Sequence, residues 1–436
     1  MSHSIIRRAA LAGASTAAAL FAAGTANASA FYLQEQSVVA AGRAFSGEAA
    51  DQGAQNLWWN PAAIAGNEKN TLYGGMSAIL PKGDVRNNSS IIVRPGQAPA
   101  GITGNQVSKD PLNKGFLPSG AVGYKLNDKW SVGVSVAAPY SFATNYENNS
   151  WARYAADKTK LTTIDIQPTI AFAPSPIIGI GVGLNVEYSK ASLSNFLPNL
   201  SPALPDGHQT LRGDGWDLGW SAGVQLHPSP LIDLGFSYKS SVKHKLKGSI
   251  TTAGLLGPLA GQNGRIEGIT ATFRTPWQAI ASARVHVSEA LTLNGQVVRA
   301  GWNKFDAIDL GAPVNAALDQ NYKNSWSVAG GVDYVVNPKW TVRGGVQWDQ
   351  TPTQNGSRDA RVPDASRINF AAGTSYAITD SITLDAAANY VDFKNSSIDR
   401  LGGFYVGTAA QTIVRPNGSL TGAKAIVLAL GGRMTF

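Results

Sequence analysis

The chain has 436 residues, a formal net charge of +8 and no cysteine, and 44% of it is hydrophobic at a mean hydropathy of -0.08. Without cysteine there are no disulfides or thiolate metal sites, and beyond the amino terminus no window approaches the roughly 20 apolar residues a spanning helix needs. The basic excess is scattered, with no patch of interleaved aromatics, which argues against a nucleic-acid partner.

The chain opens with Arg7 and Arg8, an apolar core over 9–24 and the small-x-small triplet Ala26-Asn27-Ala28. That is the pattern of a secretory signal over residues 1–28, with cleavage after Ala30 as the alternative. From 31 to 66 there is neither alternation nor a helical stripe. The stretch is rich in Ala and Gly and carries Trp58-Trp59 followed by Asn60-Pro61, a turn fixed by the proline ring. It reads either as a compact piece packed inside something larger or as a surface loop.

Three pieces carry a resemblance: Phe31-Tyr32-Leu33-Gln34-Glu35, Gly42-Arg43-Ala44-Phe45-Ser46-Gly47 and Asn60-Pro61-Ala62. Together they resemble the amino-terminal hatch of the outer-membrane long-chain fatty-acid transporters, a family that also includes aromatic-hydrocarbon uptake channels. The resemblance favours cleavage after Ala28, a hatch over 29–69 and a transmembrane barrel over 70–436. It also implies a Gram-negative outer-membrane location, a hydrophobic small-molecule ligand, lipid and lipopolysaccharide neighbours, a monomer and no cofactor.

Period-two alternation dominates the rest. In 216–226, Trp216, Leu218, Trp220, Ala222, Val224 and Leu226 alternate with Asp217, Gly219, Ser221, Gly223 and Gln225. The segments 232–239, 326–336, 340–349 and 367–378 behave alike. With aromatics bracketing the segments, this predicts an all-β, antiparallel transmembrane barrel of about fourteen strands, apolar outside and polar inside. Turns such as Asn127-Asp128 and Asn337-Pro338 are short and the intervening loops long, the asymmetry of outer-membrane barrels. The last strand ends in Phe436, resembling the signal recognised by outer-membrane assembly machinery. In 291–302 Arg299 falls in the lipid-facing phase, so a bulge or an early strand end is expected there.

Pro139 lies inside an alternating run from Trp130 to Ala143 and cannot donate to a ladder. In a closed wall it predicts a harmless bulge or a local gap, and Pro276 a second bulge. The resemblance implies the gap: a kink at Pro139 and Tyr140 opening a lateral hole contacted by Asn60-Pro61-Ala62. Leu193, Phe196, Leu197 and Leu200 fall at helical spacing in the connection over 190–215, where Pro198 allows only a short helix, and Leu255, Leu256 and Leu259 lie in another loop. They either pack together or meet an apolar ligand, and the resemblance implies a groove where substrate lands.

Arg343, Arg367 and Arg433 face the lumen by alternation, either pairing with Asp217, Asp333 or Asp349 or orienting a carboxylate. The lumen ligand-binding candidates are Phe31, Arg343, Arg367 and, at a strand end, Lys190. No catalytic constellation stands out, since none of the 5 histidines sits in a serine nucleophile motif or at metal spacing. The chain is therefore expected to be a channel for passive uptake, with long-chain fatty acids first and monoaromatic hydrocarbons second. A general porin and an outer-membrane lipase or esterase are the rivals.

Overall fold

The computed structural model describes residues 30–436, so the signal over 1–28 and its cleavage site lie outside the described residues. Alternating segments pair edge to edge into a closed antiparallel barrel of 14 strands. They are β1 (Thr71–Asn87), β2 (Val107–Lys109 with Gly115–Lys125), β3 (Trp130–Ala137 with Ser141–Asn145), β4 (Lys158–Ser175) and β5 (Ile178–Leu197). Then come β6 (Gly207–Ser229), β7 (Ile232–Lys239 with Lys243–Ala253), β8 (Gly264–Arg274 with Gln278–His286), β9 (Leu291–Ala300 with Ala307–Leu310) and β10 (Ala316–Asp319 with Ser325–Asn337). The last four are β11 (Trp340–Asp349), β12 (Arg367–Ala377), β13 (Ile382–Phe393 with Ser396–Asp399) and β14 (Asn417–Thr435). β14 pairs with β1 from Thr71↔Thr435 to Asn87↔Gly418, so no spanning edge is left unpaired in lipid.

The faces follow the sequence pattern. On β6, Trp216, Leu218 and Trp220 are 59%, 65% and 52% exposed to the lipid side, while Ser221 and Gln225 are buried in the lumen. Arg299 keeps the outward phase with no bulge. Its strand segment ends one residue later at Ala300, and the guanidinium stacks over Trp326 at 4.7 Å.

Residues 30–66 add no stave. They fold into a five-residue helix α1 (Val38–Gly42), two short turns of 3₁₀ helix and irregular chain, nearly all buried inside the wall. Ser37 caps α1 by accepting from the Ala40 N–H.

The leucine-rich connection departs from expectation. Leu193, Phe196 and Leu197 are not on a short helix: β5 runs through all three, paired in register with β6 from Leu226↔Ile178 to Gly207↔Leu197. At about 3.3 Å per residue, these staves are far longer than the 9–11 residues a membrane needs, so their upper halves stand above the bilayer as a hairpin. Ladder bonds across that hairpin outweigh a helical spacing that Pro198 already cuts short.

Candidate functional site

Two connected spaces lie above the hatch. The outer one, about 1840 Å³ including open space, is bounded by Tyr154, Ile250, Leu310, Arg400, Phe404 and neighbouring loop residues. The inner one, about 730 Å³ counting its mouth, is walled by Phe142, Leu161, Leu193, Leu246, Ile269 and Phe273, with Phe31 at its hatch side. Leu193, Ile308, Gln320 and Arg361 line both.

Phe31 holds this wall together through aromatic edges. Its ring centroid lies 4.8 Å from Trp302, 5.1 Å from Phe305 and 5.5 Å from Phe142. Arg361, on the loop between β11 and β12, is the cation at the junction. It donates to the Ser194 carbonyl and to Asn195 Oδ1, both at 3.2 Å, and among the described residues it has no carboxylate partner. Burial lowers its pKa, as does neighbouring Arg400, against the pull of Asp359. Lys160 and Arg212 also border the cavity, but their side chains share the exposed, outward phase of their staves.

The wall beside Phe31 is split. β2 and β3 pair from Lys125↔Ser131 to Gly120↔Val136, and the same register resumes above at Leu112↔Thr144. Between these points β3 is broken at Ala138-Pro139-Tyr140, and hatch residues supply the missing partners. The Leu33 N–H donates to the Pro139 carbonyl at 2.8 Å, and the Ser141 N–H donates to the Phe31 carbonyl at 2.9 Å. Gln36 clamps Ala138, accepting from its N–H at 3.1 Å and donating to its carbonyl at 3.2 Å. Leu33 fills the space against Ile79, Leu117, Ala138 and Val427. A ladder opened in the wall would otherwise leave buried backbone groups unpaired.

Several sequence-derived positions fall elsewhere. The hatch residues hydrogen-bonded at the kink are Phe31, Leu33 and Gln36, while Asn60-Pro61-Ala62 packs on β5 and β6, where a Cβ on Gly181 or Gly223 would collide with Pro61 or Asn60. There Asn60 donates to the Ala49 carbonyl at 2.6 Å and the Val224 carbonyl at 3.2 Å. Lys190 does not face the lumen but is exposed on the outer face, one residue from buried Ser189. Arg343 and Arg367 do face inward, yet each is met by acid: Arg343 by Asp333 at 2.9 Å, and Arg367 by Asp349 at 2.6 Å and Asp364 at 3.5 Å. Of the greasy residues, Leu193 reaches the cavity, while Leu197, Leu200, Leu255 and Leu259 form a separate cluster with Phe404 and Tyr405. Phe196 sits edge-on to His208, and Leu256 is 40% exposed.

Arg343 belongs to the lock that holds the hatch. Hatch Arg43 meets Glu48 at 2.9 Å, Asp51 at 2.7 Å and, on β10, Asp333 at 3.1 Å, and Asp333 also takes Arg284 and Arg343. The five-donor guanidinium is satisfied only when hatch and wall are together.

The fold does bring one serine beside a histidine. Ser189 Oγ lies 3.2 Å from His244 Nδ1, with Glu187 and Asp217 also against the imidazole. Ser189 and His244 are both fully buried and line neither of the two spaces.

Residues 19–436 match the family described as outer membrane protein transport protein (OMPP1/FadL/TodX). The long-chain fatty acid transport protein of Escherichia coli O6:H1 is 25% identical over 395 residues, covering 83% of this chain and 86% of that one. Outer membrane protein P1 of Haemophilus influenzae is 25% identical over 413 residues, covering 86% and 89%. Among solved structures, a Pseudomonas aeruginosa FadL homologue superposes with a TM-score of 0.81 at 22% identity, covering 93% of this chain and 99% of that one. The CymD monoaromatic hydrocarbon channel gives 0.66 at 17%, with the same coverage. The family consists of transport channels and not of enzymes. With the plugged barrel and the lipid-facing wall, these matches show an outer-membrane protein that transports hydrophobic substrates, and the chain belongs to the OMPP1/FadL/TodX family.

Proposed function

We propose that the protein takes up long-chain fatty acids without energy input of its own, from the outer vestibule to the inner cavity, past Phe31 and out sideways between β2 and β3. The observation that carries the substrate is Arg361, a guanidinium without an acid partner among the described residues, at the mouth of a cavity walled mainly by apolar side chains. Two of its five N–H groups are used, which leaves donors for a carboxylate head group. A desolvated cation is stabilised by an arriving anion, whereas toluene would gain nothing from it.

The side exit follows from solvation. Each buried methylene is worth about 0.8 kcal/mol, so a long acyl chain leaving downward into water gives up on the order of 10 kcal/mol. Moving into the bilayer avoids that loss. The split between β2 and β3 lies beside Phe31 and is bridged by hatch residues 31–36, which supports an exit there.

The test compares wild type with Arg361→Ala for binding of a long-chain fatty acid and of its methyl ester. We expect roughly a 10- to 100-fold weaker Kd for the acid, equivalent to the about 1.5–3 kcal/mol of a charged hydrogen bond, and an unchanged Kd for the ester. Equal affinity of the variant for the acid, with tight toluene binding, would move the assignment to aromatic hydrocarbons.

A further inference from the structure

The transport route leaves unused a group of cations on the outer wall. Through the upper parts of β4 to β7, buried Leu161, Ser189 and Leu246 face inward, so Lys160, Lys190, Arg212 and Lys247, all exposed, stand on the outer face. The register sets them side by side. Lys160 and Arg212 flank Ser192 from either side of β5, and one step lower Lys190 and Lys247 flank Asp214 from either side of β6. With strands about 4.8 Å apart and alternate residues about 6.7 Å apart, the four form a zigzag roughly 15 Å across.

Among the described residues none of the four makes an ion pair. The acid between them, Asp214, accepts from Tyr188 Oη at 3.2 Å. Directly below, on the same face, Tyr188 and Trp216 pack at 5.1 Å, followed by exposed Leu184 and Leu218. Aromatics above an apolar band mark the edge of the hydrocarbon, so the four cations stand at head-group height on the extracellular side.

We propose that this zigzag binds the phosphates of lipopolysaccharide in the outer leaflet, at its lipid A. Four unpaired cations across four staves suit a head group with more than one phosphate better than a single-phosphate lipid, since each phosphate is satisfied by a separate pair. Lys160 and Arg212 also border the inner cavity, but all four share the exposed, outward phase of their staves.

Purified protein in detergent would be titrated with lipid A carrying both phosphates and with dephosphorylated lipid A, and retained lipid counted by native mass spectrometry. Retention of the phosphorylated form should exceed the other by roughly tenfold or more. Lys160→Gln, Lys190→Gln, Arg212→Gln and Lys247→Gln together should remove that preference, and Lys129→Gln with Lys339→Gln, at the opposite end of the barrel, should not. Equal retention of the two lipids by wild type, which needs no variant to fold, would overturn the proposal. So would an unchanged preference in the fourfold variant, or displacement of the lipid by millimolar inorganic phosphate.

Discussion

Leu193 and Phe196 are three positions apart, and the structure sends them to different places. Leu193 lines the cavity, and Phe196 lies against His208 on the other face of β5. Leu193→Asp should therefore weaken fatty-acid binding by roughly two orders of magnitude, because a carboxylate enters an apolar wall beside the ligand chain. Phe196→Ser should leave the Kd within about twofold, since it touches no ligand surface. Both are read by ligand titration of purified protein. Helical spacing grouped these residues, but on an extended strand positions three apart fall on opposite faces. The inward phase of Arg343 and Arg367 was legible from alternation, and so was pairing with acids as one of the two readings left open. Counting on from outward Tyr188 would have placed Lys190 outside. Arg361 gave no signal, because it lies in a loop without a period.

At the scale of elements, β3 and the hatch strand complete each other. Pro139 was legible as an interruption because it cannot donate to a ladder. What mends the gap was not: a glutamine amide at Gln36, 102 residues from Ala138, and two backbone bonds from the same segment carry no local pattern. Gln36→Leu removes both bonds to Ala138, leaving its N–H and carbonyl buried and unpaired at about 1–3 kcal/mol each. Faster amide exchange at Ala138 is expected, with the rest of the barrel protected as before. The hatch lock behaves similarly: Arg43→Met strands buried Glu48 and takes one partner from Asp51 and Asp333, which keep Arg284, and breaking such a buried group costs about 3–5 kcal/mol. The hatch should then detach part of the time, read as intermittent openings in planar-bilayer conductance. Steady wild-type closure would mean that other contacts hold it.

For the whole molecule, the barrel was the most legible part, because one lipid-facing side forces alternation on every stave and Trp and Tyr mark the membrane edges. The cavity was the least legible, being assembled from β3 to β9, the hatch and two loops that share no pattern. Removing 31–66 while keeping residues 1–30 should leave a barrel that inserts and conducts continuously, since the removed residues add no stave to the ladder. The central claim is that ligand leaves through the wall between β2 and β3. Counting the register on from either side of the split sets Gly115 against Ser141, whose N–H is bonded to the Phe31 carbonyl instead. The direct test is a reducible cross-link between cysteines at Gly115 and Ser141, with transfer of a fluorescent fatty acid into the bilayer of reconstituted vesicles measured before and after reduction. The account predicts that the linked protein still binds the ligand but transfers it at the protein-free rate, and that reduction restores transfer. Transfer at the wild-type rate with the link intact would contradict the side exit and send the ligand down through the hatch.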